Sequence, residues 1–169
     1  MNIKTVRFVK VVIIAMVALF ATFVALGNLM DYDSNYQFVK HVLSMDSTFE
    51  GNALMWRAVT SDTLITIAYW SIILAELAVA VFAWISTFKM ASALKKTEAQ
   101  FTSAKKWGYY AFLLGLALWF VGFVVIGSEW FAMWQSEIWN GKQTAMDISE
   151  VLLGMLIVYL LPEKFTSSK

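Results

Sequence analysis

The sequence predicts an all-α integral membrane protein, a four-helix bundle with short interfacial helices on its outer face. Three observations carry that reading. Hydrophobic residues make up 60% of the 169 and charged residues only 15%, whereas charged residues are about a quarter of a soluble domain. The mean hydropathy is +0.66. The apolar residues also gather into segments that approach the length of about 20 residues needed to cross a bilayer, and the chain holds a single proline to interrupt them. On length, residues 1–169 form a single transmembrane domain with no room for a second, soluble one.

The first span runs from about Phe8 to Leu29, behind Lys4, Arg7 and Lys10. A basic start, an apolar run and Ala25-Leu26-Gly27 imitate a cleaved signal peptide, but the apolar run is too long for the usual signal core. Ala15, Ala18, Thr22 and Ala25 give it a face of small residues. The segment that follows, DYDSNYQFVKHVLSMDSTFEGNALMWRAVTSD, opens with Tyr36, Val39, Val42 and Leu43 set against Gln37, Lys40, His41 and Ser44. That spacing predicts a short amphipathic helix lying on the membrane surface or capping the bundle.

The second span, Leu64 to Phe88, carries Ala68, Ser71, Ala75 and Ala78 on one face and Glu76 near its middle. A polar stretch, Thr97–Ser103, lies within the loop that follows. The third span, Trp107 to Ile126, has Gly108, Ala111, Gly115 and Gly122 in line with Ala104. Small residues at such spacings let helix backbones approach closely in lipid. Next comes GSEWFAMWQSEIWNG, residues 127–141, with Trp130, Trp134 and Trp139. Directly after a span, these indoles read as interfacial anchors, with Trp130 and Trp134 four apart on one face. The fourth span, about Ala145 to Leu161, is short and stops at Pro162. Gln143, Asp147, Glu150 and Gly154 align down one side of it.

Basic residues set the direction of insertion. Lys4, Arg7 and Lys10, then Lys89, Lys95, Lys96, Lys105 and Lys106, then Lys164 and Lys169 flank one side, and only Lys40, Arg57 and Lys142 the other. Both termini are therefore expected in the cytoplasm, with the loop lysines placed to meet anionic lipid headgroups. The outward segments hold Asp31, Asp33, Asp46, Glu50, Asp62, Glu129 and Glu137, an acidic and aromatic face.

Glu76, Asp147 and Glu150 are the intramembrane polar candidates, because a charge within a span must be neutralised, paired or wetted. A neutral Glu76 bonded to a polar neighbour such as Tyr69 needs no function. On the outer face His41, Asp46, Asp31 and Glu129 are candidate metal ligands, although one histidine among scattered carboxylates is also what a solvated loop contains. The absence of cysteine excludes disulfides, thiolate zinc sites and iron–sulfur clusters. No phosphate-binding glycine loop and no catalytic constellation is visible. No cofactor is expected, and nucleic acid is not an expected partner.

DYDSNYQFVKHVLSMD, residues 31–46, and SEWFAMWQSEIWNG, residues 128–141, resemble a family of bacterial small integral membrane proteins of unknown function. The resemblance implies a bacterial cytoplasmic membrane and the same four-span layout, and it brings no activity or ligand with it. The leading functional expectation is a non-catalytic accessory, scaffold or sensor protein. It would sit in the lipid bilayer and bind another membrane or periplasmic protein through the acidic, aromatic cap. One alternative is a small proton- or cation-coupled transporter or channel subunit using Glu76 and Glu150. Another is a metal or redox subunit around His41.

Overall fold

The computed structural model describes residues 2–163, so Lys164 and Lys169 lie outside the described residues. The described chain is helical throughout its ordered elements and holds four helices long and apolar enough to cross a membrane. The first, α1, is Ile3–Met30, begun by Asn2, whose side chain accepts from the Lys4 amide. A short helix, α2, spans Tyr32–Ser44. The second span is α3, Asp62–Ala93. The third is built from α4 (Glu98–Ala104) and α5 (Lys106–Leu116), then continues from Ala117 to Trp130 with π winding. The fourth, α6, is Lys142–Leu160. All four spans exceed or shift their predicted bounds, because polar first and last turns prolong each helix past its apolar stretch.

Helix α3 is the centre of the bundle, packing extensively on both α1 and α5. Between them the core is made of small and medium side chains, with Ala18, Ala21, Val79, Ala83 and Ala111 fully enclosed. Close approach of backbones is the main source of helix association in lipid, and these residues permit it. The predicted small faces hold in part. Ala18 and Ala25 of α1 are buried, as are Ala104, Gly108, Ala111 and Gly115 along the third span. On α3, however, Ser71 is exposed, and the buried line runs instead through Ile65, Tyr69, Ile73, Glu76, Val79 and Ala83. Larger residues there fill the gaps left by the alanines of α1.

At the end of the bundle away from α2, two of the basic residues read as topology signals, Lys10 and Lys105, are also buried in ion pairs. The Glu163 carboxylate lies 2.9 Å from Lys10 Nζ and 3.2 Å from Lys105 Nζ, and Lys10 also donates to the Leu161 carbonyl. Lys10 is 1% exposed and Glu163 6%. Arg7 donates to the Leu94 and Lys96 carbonyls at 3.2 and 2.7 Å, so it caps the end of α3, and its guanidinium sits 4.7 Å from the centre of the Phe101 ring. The supposed polar loop at Thr97–Ser103 is thus the helix α4. A capping box between Thr97 and Gln100 begins it, and Phe101 is fully buried beneath Arg7. Lys105 is likewise not free for lipid headgroups, whereas Lys89, Lys95, Lys96 and Lys106 are exposed.

Beside this cluster the Tyr159 hydroxyl bonds Ser86 at 2.9 Å and donates to the Lys105 carbonyl at 3.1 Å, in the space left by Gly108. A methyl group at position 108 would overlap that hydroxyl. Gly108→Ala is therefore expected to lower stability by about 1–3 kcal/mol in detergent unfolding, as overpacking does elsewhere. Glu163→Gln should cost more, about 3–5 kcal/mol, since it leaves two buried ammonium groups without a counter-charge. Burial raises the Glu163 pKa, but the Lys10 hydrogen bond and the two lysine charges outweigh it and hold the carboxyl below its usual 4.5. A depressed carboxyl stabilises the fold fully above its unfolded pKa and loses that contribution as pH falls through the folded value. Unfolding scans should thus show wild type weakening below about pH 4.5, with Glu163→Gln missing that step.

Candidate functional site

The opposite end of the bundle is closed by a cap built from α2, residues 45–61 and residues 131–141. Helix α2 stops at Met45, which adopts a left-handed conformation (φ 54°), and the third span stops at Ala132 in the same way (φ 53°). Val42, Met45, Phe131, Ala132 and Met133 form a small apolar core beneath the cap. Polar bonds stitch its two strands of chain together. Ser47 donates to Ser136 at 2.8 Å, and Gln135 Oε1 accepts from the Phe49 amide and Asn52 Nδ2, each at 3.1 Å. Tyr32 and Tyr36 pack on Tyr69, tying α2 to α3 with ring centres 4.9 and 5.9 Å apart.

The three tryptophans of residues 127–141 separate. Trp130 ends the helix and Trp134 lies beyond the left-handed turn, so they do not share a helix face; both are about half exposed. Arg57 sits 4.3 Å from the Trp130 ring centre and donates to the Trp130 carbonyl at 3.2 Å. Trp139 is partly buried and stacks on the His41 ring at 4.7 Å.

The acids at the cap end are also dispersed. His41 Nδ1 lies 2.8 Å from Asp46 Oδ2, Asp31 accepts from Ser34 at 2.8 Å, and Glu129 pairs with Lys142 at 2.9 Å. Among the described residues no three His, Cys, Asp or Glu side chains come together as a metal-binding group. The structure thus joins His41 to Asp46 but brings neither Asp31 nor Glu129 to them.

Under the cap lies a recess of about 410 Å³, walled by α1, α2, α3, the π-wound segment and α6. That volume falls in the range of small-molecule sites. Phe38, Tyr69, Trp119 and Phe123 supply aromatic walls, and Asn35, Asn140 and Thr144 supply polar groups toward the rim. Its inner part is Glu76, fourteen residues into the span and only 2% exposed. Both carboxylate oxygens accept from Asn28 Nδ2, at 2.8 and 2.7 Å. Tyr69, one of several neighbours considered for Glu76, donates to the Asn28 carbonyl at 2.8 Å and so fixes the last turn of α1. Asn28 was not among the residues singled out in the sequence. Its only signal there is a polar amide in the final turn of an apolar span.

Asp147 and Glu150 do not reach this recess. Both are exposed on α6; Asp147 accepts from Gln143 at 2.7 Å and borders an apolar groove between α1 and α6. Among the described residues Glu76 is therefore the single carboxylate lining the recess.

Residues 6–162 match a family model described as "Predicted small integral membrane protein (DUF2165)". No match was found among curated proteins or among solved structures.

Because Asn28 is the only donor to Glu76 among the described residues, Asn28→Leu is expected to cost about 1–3 kcal/mol, the penalty of an unsatisfied buried acceptor. The double variant Asn28→Leu/Glu76→Leu should recover most of that loss. Additive losses in a double-mutant cycle would show that the two side chains are not coupled.

Proposed function

We propose, for a chain that belongs to this family of predicted small integral membrane proteins, a non-catalytic role as a sensor or accessory subunit that recognises a molecule at its outward end. The observation that carries this reading is the recess beneath the cap, pre-formed, aromatic-walled and ending at a buried carboxylate. Sites of that kind bind ligands by enclosing them, with a few polar groups fixing orientation. The cap contributes Asn35 and Asn140 to the rim, and hydrogen bonds tie the segments of the cap to one another. The orientation adopted, with the cap outward and the basic end in the cytoplasm, follows the lysine and arginine bias.

Recognition is favoured over conduction by what lies below Glu76. Toward the basic end the helices close on Val79, Ala83, Ala111, Phe112 and Leu152, all buried. Glu150, the second group of the transport reading, faces away from the recess. Among the described residues this apolar layer separates Glu76 from the ion pairs around Glu163.

Native mass spectrometry of protein purified in mild detergent tests the reading. Wild type is expected to retain a small molecule that Thr144→Trp, which adds bulk at an exposed rim position, does not retain. A molecule retained equally by both proteins would remove the recess from recognition.

A further inference from the structure

We propose that the recess takes a small organic ammonium ion, with Glu76 as its counter-ion and the aromatic walls as its cage. The inference rests on the reading above that the recess is where a molecule is recognised.

The first argument is charge. Glu76 is enclosed in a span, yet its carboxylate meets only the neutral amide of Asn28, and no lysine, arginine or histidine is among the residues lining the recess. The contrast with Glu163, which is held by two ammonium groups at the other end, is direct. A buried carboxylate without a cation gains most from a ligand that supplies one, since attraction is strong where water is excluded. One carboxylate complements one positive charge.

The second argument is the chemistry of the walls. A divalent metal takes six or more oxygen ligands, several of them charged, and the recess offers one carboxylate among amides, a threonine and rings. Trp119, Tyr69, Phe123 and Phe38 line it with aromatic rings instead. Those are the groups that recognise alkylated ammonium ions, whose diffuse charge needs no oxygen shell. Asn35, Asn140 and Thr144 near the rim can bond a hydroxyl or carbonyl carried on the same molecule.

The test is isothermal titration of the full chain in detergent with choline and tetramethylammonium, beside the uncharged carbon isostere of choline, a dimethylbutanol. Saturable binding of the cations is expected, about tenfold or more weaker for the isostere and equally weakened by Glu76→Gln. The isostere comparison is made on wild type and so does not depend on the folding of any variant. Equal affinity for cation and isostere, or no loss with Glu76→Gln in a folded protein, overturns the ammonium assignment. If Thr144→Trp still abolishes that binding, the recess reading stands without it. Failure of both cations to bind also overturns the assignment, and the retained-molecule comparison then judges the recess separately. Cation-selective binding untouched by Thr144→Trp places the site elsewhere and overturns both.

Discussion

The carboxylate of Glu163 holds together parts of the chain that hydrophobicity alone would leave free to slide. Lipid is as apolar as leucine, so apolar helices gain little by choosing one neighbour or one register over another. A buried charge is different, because it is costly unless its partners stand within a few ångströms. Lys10 on α1, Lys105 between α4 and α5, and Glu163 beyond α6 meet that requirement only when three of the four spans end at the same level. Arg7 adds the fourth by capping α3. The basic end is thereby fixed in register, and the close fit of Gly108 against Tyr159 and Ser86 follows from it.

With one end locked, the other can be open. Among the described residues the cap end has no comparable ion pair inside the bundle; Lys40–Asp62 and Lys142–Glu129 lie on the surface, where such pairs contribute little. Its order comes from aromatic packing and from hydrogen bonds within the cap. The two buried carboxylates therefore play opposite parts. Glu163 is saturated by this chain's own cations and serves the fold. Glu76 is held by an amide in a recess that reaches the surface, and among the described residues no cation pairs with it.

The spans were legible because hydropathy is local, and nearly every residue from Phe8 to Leu29 is apolar. Glu76 was legible for the same reason, as an acid surrounded by apolar neighbours. What was hidden depended on residues far apart in the chain. Lys10 and Glu163 are 153 positions apart, and Asn28 and Glu76 are 48. Nothing periodic marks such a pair, so Lys10 and Lys105 looked like ordinary topology signals, and Tyr69, about two turns from Glu76 on the same face, looked a natural partner. The tryptophans of residues 127–141 were recognisable as membrane-end residues. The left-handed turn at Ala132 that parts Trp130 from Trp134 has no glycine to announce it.

The winding of the third span explains why a recess exists at all. In an α-helix seven residues make about two turns, so the small face through Gly108 and Gly115 would return at Gly122. From Ala117 onward the helix is π-wound, as the bond from the Phe131 amide to the Ile126 carbonyl shows at its end. Its wider turn carries Gly122 off the buried face. A methyl there would meet only the Ala117 carbonyl, whereas Gly108 faces Tyr159 and Gly115 faces Leu152. The same change of phase leaves Trp119 and Phe123, nearly one turn apart, together on the recess wall. Small residues that would have drawn the helices shut are thus replaced by two rings that hold them apart. The space between those rings and Glu76 is set by backbone winding, which no count of apolar residues could reveal.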